Sequence, residues 1–277
     1  MNNAIFPCLW FDGTAAQAAN FYCTIFNNSS IIDNTPMVVT WQLNGKKFMG
    51  LNGGPMFNIN PSISFFVKCN SITEIQTIWD ALIQGGKVLM PLDAYPWSEK
   101  YGWLQDQFGV TWQIMFDTNA NQTITAAFLF TANQFGKAQQ AINFYKSIFS
   151  NSTIKILEQY PQNGPHTGKL MYGEFGLNNY EMIAMDGPGE HQYTFNEGVS
   201  LVVNCNTQDE IDYYWNILIA DGGQASQCGW LKDKFGVSWQ IVPTILASLM
   251  GNADTAPRVI QAFMKMQKFD IATLLNA

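Results

Sequence analysis

The chain opens on an apolar run, Ile5–Phe11, with the length and continuity of a buried strand. Ala15, Ala18, Tyr22 and Ile25 follow at helical spacing and predict an amphipathic helix that starts at Asp12-Gly13-Thr14. Val38–Leu43 and Lys47–Leu51 flank Asn44-Gly45, a strong short-range hairpin signal. Ser62–Cys69 is a second apolar strand. Ser71-Ile72-Thr73-Glu74 after it has the form of a capping box. Ile72, Ile75, Trp79 and Leu82 make the buried stripe of the helix, and Gly85-Gly86 stops it. Trp103-Leu104 and Val110–Phe116 read as strands joined by a turn at Asp106-Gln107-Phe108-Gly109.

The pattern then repeats. Phe108-Gly109-Val110-Thr111-Trp112-Gln113-Ile114 recurs as Phe235-Gly236-Val237-Ser238-Trp239-Gln240-Ile241. Gly102-Trp103-Leu104 recurs as Gly229-Trp230-Leu231, and Phe21-Tyr22 with Phe26 as Phe144-Tyr145 with Phe149. Ser64, Val67, Cys69, Asn70, Ile75, Trp79 and Leu82 match Ser200, Val203, Cys205, Asn206, Ile211, Trp215 and Leu218. Changes of spacing place an insertion in the second copy near Tyr160–His166, and one in the first copy near Pro91–Trp97. Three matched blocks in one order divide the chain into a first copy at 1–118, a polar linker at 119–123, a second copy at 124–243 and a tail at 244–277.

Each copy holds two strand–helix–strands units, so the chain holds four. Helices are too few for a doubly wound parallel sheet. An α+β layout of mixed sheets with helices on one face is expected. The helix-free faces can curl toward each other and leave a cup, a natural place for a small molecule. The tail, with Val259, Ile260, Phe263, Met264 and Met266 after Pro257-Arg258, predicts an amphipathic helix packed on its own domain; a homodimer contact is the alternative.

Composition narrows the partners. Charged residues are 13% of the 277, about half the usual ~25%. The net charge is −7, and Arg258 is the single arginine. No basic face for nucleic acid and no polybasic membrane anchor is expected. No apolar run of ~18 residues predicts a membrane span. Met1-Asn2-Asn3-Ala4 lacks the charged start of a secretion signal. Cys8, Cys23, Cys69, Cys205 and Cys228, with no C-x-x-C, read as free thiols of a cytoplasmic protein.

The sequence resembles the PhnB-like branch of the vicinal oxygen chelate superfamily, which includes glyoxalase I, bleomycin-resistance proteins and extradiol dioxygenases. The resemblance rests on Trp10-Phe11-Asp12-Gly13 with Ala18-Ala19-Asn20-Phe21-Tyr22, and on Leu51-Asn52-Gly53-Gly54-Pro55. In the second copy it rests on Met185-Asp186-Gly187-Pro188, Phe195-Asn196-Glu197 and Gly229–Gln240, and in the tail on Arg258–Met266. It implies paired βαβββ modules forming two glyoxalase-like cups, often in dimers; here two copies in one chain supply an intramolecular pseudo-dimer. Many similar proteins carry the label 3-demethylubiquinone-9 3-methyltransferase. That activity is not expected: Gly53-Gly54, Gly85-Gly86 and Gly222-Gly223 form no glycine-rich strand-to-helix turn for a methyl donor.

The resemblance also implies a divalent metal held by His and Glu on strands lining the cup. His166 and His191 both lie in Gly/Pro-rich loop segments, and the first strands of the two copies carry no His. The position where metal-dependent relatives carry Glu corresponds to Gln113 and Gln240, neutral amides that ligate metal poorly. No cofactor is therefore expected, and the chain reads as a small-molecule binding protein, with a divalent-metal enzyme of glyoxalase or dioxygenase type and a structural or interaction protein with closed cups as the alternatives. Strand alternation puts Thr111 and Gln113 on one face, repeated by Ser238 and Gln240. With Ser64 and Ser200 they are candidates to bind a ligand in the cup; the other reading is a set of satisfied buried polar groups. Glu174 is a candidate ligand or general base, or else an exposed strand residue. Trp103 and Trp230 read as core, with cup wall as the alternative. The aromatic segment Tyr95–Tyr101 reads as a loop, either a lid over a cup or a contact between copies.

Overall fold

The fold, a computed structural model, describes residues 4–277; Met1-Asn2-Asn3 lie outside it, so the reading of the N-terminus rests on sequence. The first module is β1 (Ile5–Phe11), α1 (Ala15–Ile25), β2 (Ser30–Asn34), β3 (Val38–Leu43) and β4 (Lys46–Asn52). The second is β5 (Ile63–Cys69), α2 (Ile72–Leu82), β6 (Lys87–Tyr95), β7 (Ser98–Gln105) and β8 (Thr111–Phe116). The third is β9 (Thr123–Phe130), α3 (Ala138–Ile148), β10 (Thr153–Gln159), β11 (Leu170–Leu177) and β12 (Tyr180–Asp186). The fourth is β13 (Val199–Cys205), α4 (Gln208–Ile219), β14 (Gln224–Ala225), β15 (Trp230–Lys232) and β16 (Ser238–Pro243). A tail of α5 (Ile245–Met250), α6 (Ala256–Phe263) and α7 (Ile271–Leu275) follows.

Local chemistry explains these elements. Asn44 (φ 49°) and Gly45 (φ 74°) take the left-handed conformations of a tight hairpin turn between β3 and β4. Ser71 accepts a hydrogen bond from the Glu74 amide, and Thr207 accepts one from Glu210, capping α2 and α4. At α1 the expected local start gives way to a distant one: Asn52 Oδ1 accepts from the Ala15 amide.

The modules assemble into two eight-stranded mixed sheets, ordered β14-β15-β16-β13-β1-β4-β3-β2 and β10-β11-β12-β9-β5-β8-β7-β6. Within each module the first strand runs parallel to the last. The sheets are completed where two first strands meet antiparallel: β1 with β13, Cys8 opposite Ser200, and β5 with β9, Ser64 opposite Ala127. The first sheet thus joins modules one and four, and the second joins modules two and three. Each sheet draws one half from each copy of the repeat. The short segment 117–122 leaves β8 and enters β9 on the far side of β5.

The helix-side faces of both sheets share one core. Phe48 of β4 meets Phe65 of β5 edge-on, ring centroids 5.1 Å apart, across the boundary between sheets. Trp41, Trp112, Trp239, Tyr22 and Tyr145 are fully buried there. Two matched clasps tie the sheets further. Asp106 accepts from Tyr22 Oη (2.7 Å), Trp112 Nε1 (2.9 Å) and the amides of Phe108 and Val110. Asp233 accepts from Tyr145 Oη (2.7 Å), Trp239 Nε1 (2.9 Å) and the amides of Phe235 and Val237. Each tyrosine belongs to one sheet and its aspartate to the other. Burial pushes both carboxyls up, Asp233 to about 6, while the four donors around each oppose the rise.

Sequence patterning left β2 and β6 unassigned. The aromatic segment near Tyr95–Tyr101 is strand rather than loop: β6 and β7 make one long hairpin whose register shifts between Val88 and Tyr95. The helix-free faces do not close on each other. They carry separate apolar clusters, Phe6, Cys8 and Val202 on the first sheet and Phe66, Tyr101, Ala127 and Ile183 on the second. The tail packs on its own chain through Val259, Phe269 and Leu274, and α6 ends at Phe263, short of the predicted Met266. Cys228 and Gly229 amides donate to Met266 and Gln267, and Phe269 lies where a side chain on Gly229 would stand. At the matching Gly102, Leu92 of the long hairpin and Trp79 take that space. The tail fills in the second copy what the hairpin insertion fills in the first. Among the described residues no helix is long and apolar enough to cross a membrane.

Candidate functional site: two unequal cups

On the second sheet, β5 turns Ser64, Phe66 and Lys68 to the helix-free face, while Phe65 and Val67 enter the core. On β8 the same face receives Thr111, Gln113 and Met115. The Gln113 amide donates to Ser64 Oγ (2.8 Å) and its oxygen accepts from Tyr101 Oη (2.7 Å). Thr111 Oγ1 donates to the Ile63 carbonyl (3.2 Å). Ser64, Thr111 and Gln113 are all buried.

Glu174 stands on β11, opposite Ile183 of β12. Lys68 on β5 is three strand spacings away and four residues beyond Ser64, the residue level with Glu174, which is ~19 Å in a flat sheet. Yet the Lys68 ammonium donates directly to Glu174 Oε1. Only a concave face brings these side chains together. Tyr172 Oη donates to the same Oε1, and Asp117 lies 3.9 Å from the Lys68 ammonium. The two side chains of the pair keep 17% and 20% of their surface. Burial alone would raise the Glu174 carboxyl. The Lys68 and Tyr172 hydrogen bonds and the Lys68 charge outweigh it and hold the group below its ordinary value, so it is ionised at neutral pH. Burial and Glu174 push the Tyr172 hydroxyl up, so it remains a donor.

Aromatic rings lead from the rim to this cluster. Tyr95 stacks on Trp97 (5.0 Å, 24°), both meet Tyr101 edge-on, Tyr101 neighbours Phe66 (6.2 Å), and Phe66 meets Tyr172 (6.2 Å). Trp97 at the hairpin tip is 58% exposed. Trp103 packs on the same cluster, a cup wall rather than core, and its buried Nε1–H has no acceptor among the described residues.

The first sheet repeats the scaffold with different contents. Gln240 donates to Ser200 Oγ (2.9 Å), and Ser200 approaches the Cys8 carbonyl (3.5 Å). Ser238 is buried and its Oγ has no partner among the described residues. Burial pushes the Cys8 thiol up to about 12 against hydrogen bonds from Gln240 and Ser200, so it is neutral. The register matches Thr40 to Glu174, Asn204 to Lys68 and Val202 to Phe66. Trp10, bonded to the Gly54 carbonyl, meets Phe57 and Trp230 edge-on to form one wall. The ammonium of exposed Lys47 lies 4.3 Å over the Phe6 ring.

The structure therefore divides the seven residues singled out in the sequence between two places: Ser64, Thr111, Gln113 and Glu174 in one cup, Ser200, Ser238 and Gln240 in the other. Lys68 and Tyr172 were missed, and Tyr101 entered only as one end of the aromatic segment Tyr95–Tyr101. Lys68 carried a signal, because alternation puts it on the Ser64 face of an otherwise apolar strand. Tyr172 shares the Glu174 face by the same rule. Two open depressions lie outside both cups, one of about 450 Å³ beside Arg258 and Lys265 and one of about 500 Å³ beside Asn20 and Asn52.

The sequence model of the 3-demethylubiquinone-9 3-methyltransferase family matches residues 3–115 and again 122–242. The chain belongs to this family. Its double match is the repeat seen in the sequence. A family member of solved structure, a putative 3-demethylubiquinone-9 3-methyltransferase, PhnB protein, from Bacillus cereus, is 37% identical over 40% of this chain and 96% of its own, with a TM-score of 0.38. Glyoxalase I from Zea mays aligns over 91% of this chain and 97% of its own at 9% identity, with a TM-score of 0.57. A putative dioxygenase from Bacillus subtilis covers 96% of both chains at 9% identity, with a TM-score of 0.51. These two likenesses show the fold: two glyoxalase-like units in one chain. Among curated protein sequences no match was found.

The fold family implies a divalent metal at the cup centre, and the residues there test it. At the centre of one cup stand Ser64, hydrogen-bonded to Gln113, and the parallel pair Ala127 and Ile183; at the centre of the other stand Ser200, hydrogen-bonded to Gln240, and the parallel pair Cys8 and Met49. Each set offers one amide and one hydroxyl already bonded to each other, with the Cys8 thiol neutral. Such donors do not fit a hard or borderline divalent cation, which takes carboxylate, imidazole or thiolate. His166 packs between Phe135 and Tyr160, and His191 bonds the Pro188 carbonyl, both in loops.

Proposed function

We propose that this chain is a small-molecule binding protein of the cytoplasm that uses the cup of the second sheet, without the metal of its enzymatic relatives. One observation carries the reading: the Lys68–Glu174–Tyr172 cluster sits on a concave face lined by aromatic rings, of which the outermost, Trp97, is exposed. A partly desolvated ion pair adds little net stability to a fold, because desolvation offsets much of its attraction. Core packing does not require it, because the matched first-sheet positions carry Thr40 and Asn204 on the same scaffold. Ser64, Thr111 and Gln113 form the floor, and their bonds to one another and to backbone fix its shape.

The fold gives methyl transfer no support, since no glycine-rich turn is present to hold a methyl donor. Metal analysis of the purified protein tests the reading. The expected result is no stoichiometric Zn, Ni, Mn or Fe. A stoichiometric metal that is lost in Gln113→Ala, Gln240→Ala or Glu174→Gln would overturn it in favour of a metal-dependent glyoxalase- or dioxygenase-type enzyme.

A further inference from the structure

We propose that the occupant of the second cup is an organic cation with a planar aromatic body, its nitrogen at the second oxygen of Glu174 and its ring on the aromatic wall that runs from Tyr172 and Phe66 through Tyr101 to Trp97. This rests on the reading of that cup as a ligand site and adds the class of ligand. Lys68 and Tyr172 both donate to Glu174 Oε1. The other oxygen, Oε2, has no hydrogen bond among the described residues, although the carboxyl is ionised and only 20% of the side chain is exposed. An ionised oxygen so placed asks for a donor, and a charged donor gives the stronger bond.

The local charge agrees. Glu174 and Asp117 face Lys68, Lys155 near Glu174 is paired with Glu181, and Glu158, opposite Tyr172 on β10, adds to the negative field on its ring, so the carboxylates outnumber the ammonium groups. An anionic ligand would meet this excess. The rings already show the complementary preference: the Lys68 ammonium lies 5.5 Å from the Tyr172 centroid and 6.0 Å from that of Phe66. Tyr95, Trp97 and Tyr101 continue the aromatic surface outward, and Trp97, stacked on Tyr95, keeps 58% of its surface exposed. A neutral aromatic would use the rings and leave Oε2 unbonded. The first cup lacks the device at every matched position: Thr40 for Glu174, Asn204 for Lys68, Cys228 for Tyr101 and Val202 for Phe66.

Calorimetric titration of the full chain with benzylamine, benzyl alcohol and benzoate at pH 7 tests the class, with Glu174→Gln, Trp97→Ala and Lys47→Met as variants. Glu174→Gln keeps the shape and removes the charge. Trp97 is exposed, so its truncation keeps the test alive if the first variant folds poorly. Benzylamine is expected to bind about tenfold tighter than either other probe, and to lose about tenfold in Glu174→Gln and in Trp97→Ala but not in Lys47→Met. Benzoate or benzyl alcohol binding as tightly as benzylamine, with the loss in Trp97→Ala retained, would overturn the cation class and leave the cup as the site. Benzylamine binding indifferent to both cup variants, or no binding of any probe at millimolar concentration, would overturn the class and the cup reading together.

Discussion

The two cups share a scaffold and differ in what stands on it. Both have an amide–hydroxyl pair at the centre, Gln113–Ser64 in one and Gln240–Ser200 in the other, with nearly equal geometry. Both sit on the same four-module frame and are tied together by the same aspartate clasp. Around these equal centres, one cup carries an ion pair, a tyrosine donor and an aromatic hairpin. The other carries Thr40, Asn204, Cys8 and an apolar wall of Trp10, Phe57 and Trp230. Repetition therefore separates what the fold needs from what one cup adds. What recurs in both halves is architecture, and what occurs in one half is the better guide to function.

The largest test concerns the shared part. Asp106→Ala and Asp233→Ala each leave a tyrosine hydroxyl, an indole N–H and two amides without their acceptor, at about 1–3 kcal/mol for each group left buried and unsatisfied. A loss of at least about 3 kcal/mol is expected from each in urea unfolding, and of similar size. A large loss from one and little from the other would break the claim that the clasps are equivalent. Next is the charge cluster. Lys68→Met should cost about 1–2 kcal/mol, less than the 3–5 of a fully buried pair because both side chains retain exposure. Lys47→Met, in the other cup, should stay within about 0.5 kcal/mol. Equal losses would remove the asymmetry.

A pH series sharpens the clasp. The Asp233 carboxyl titrates at about 6 when folded, above its ordinary value of 3.8. The folded state then holds the extra proton between those values. The stability this group contributes is fully present below pH 3.8 and is lost as pH rises through about 6. The Tm of the natural chain minus that of Asp233→Asn should therefore fall between pH 4.5 and pH 7; a rise would contradict the assignment. The smallest stability effect belongs to Trp97→Ala. The ring is mostly exposed, and unfolding should shift by no more than about 0.5 kcal/mol while ligand affinity drops.

Much of the fold was legible in the sequence because the repeat multiplied weak local signals. The Asn44-Gly45 turn, the capping boxes at Ser71 and Thr207, and the Trp112 and Trp239 strands were each readable from a few adjacent residues. The exchange of modules between sheets was not, because strand order depends on which first strands meet, and β1 and β13 are both mainly apolar runs that name no partner. β6 was hidden for a different reason. Its Pro91 and bulged register break the alternation by which an edge strand is recognised. The amide–hydroxyl pairs could be proposed from alternation alone. The Lys68–Glu174 bond could not, since it joins side chains from different copies across the concavity. The first-copy partner of Glu174 in the repeat is Thr40, and that alignment gives no hint of Lys68.

The matched indoles Trp103 and Trp230 give the most direct test of unequal cups, one ring in each. Nitrogen-15 spectra of the indole N–H groups, recorded while benzylamine is added, would report the two cups separately. The asymmetry predicts that the Trp103 signal moves with saturation while the Trp230 signal stays in place. Movement of Trp230 alone, or of both signals with the same binding curve, would contradict it.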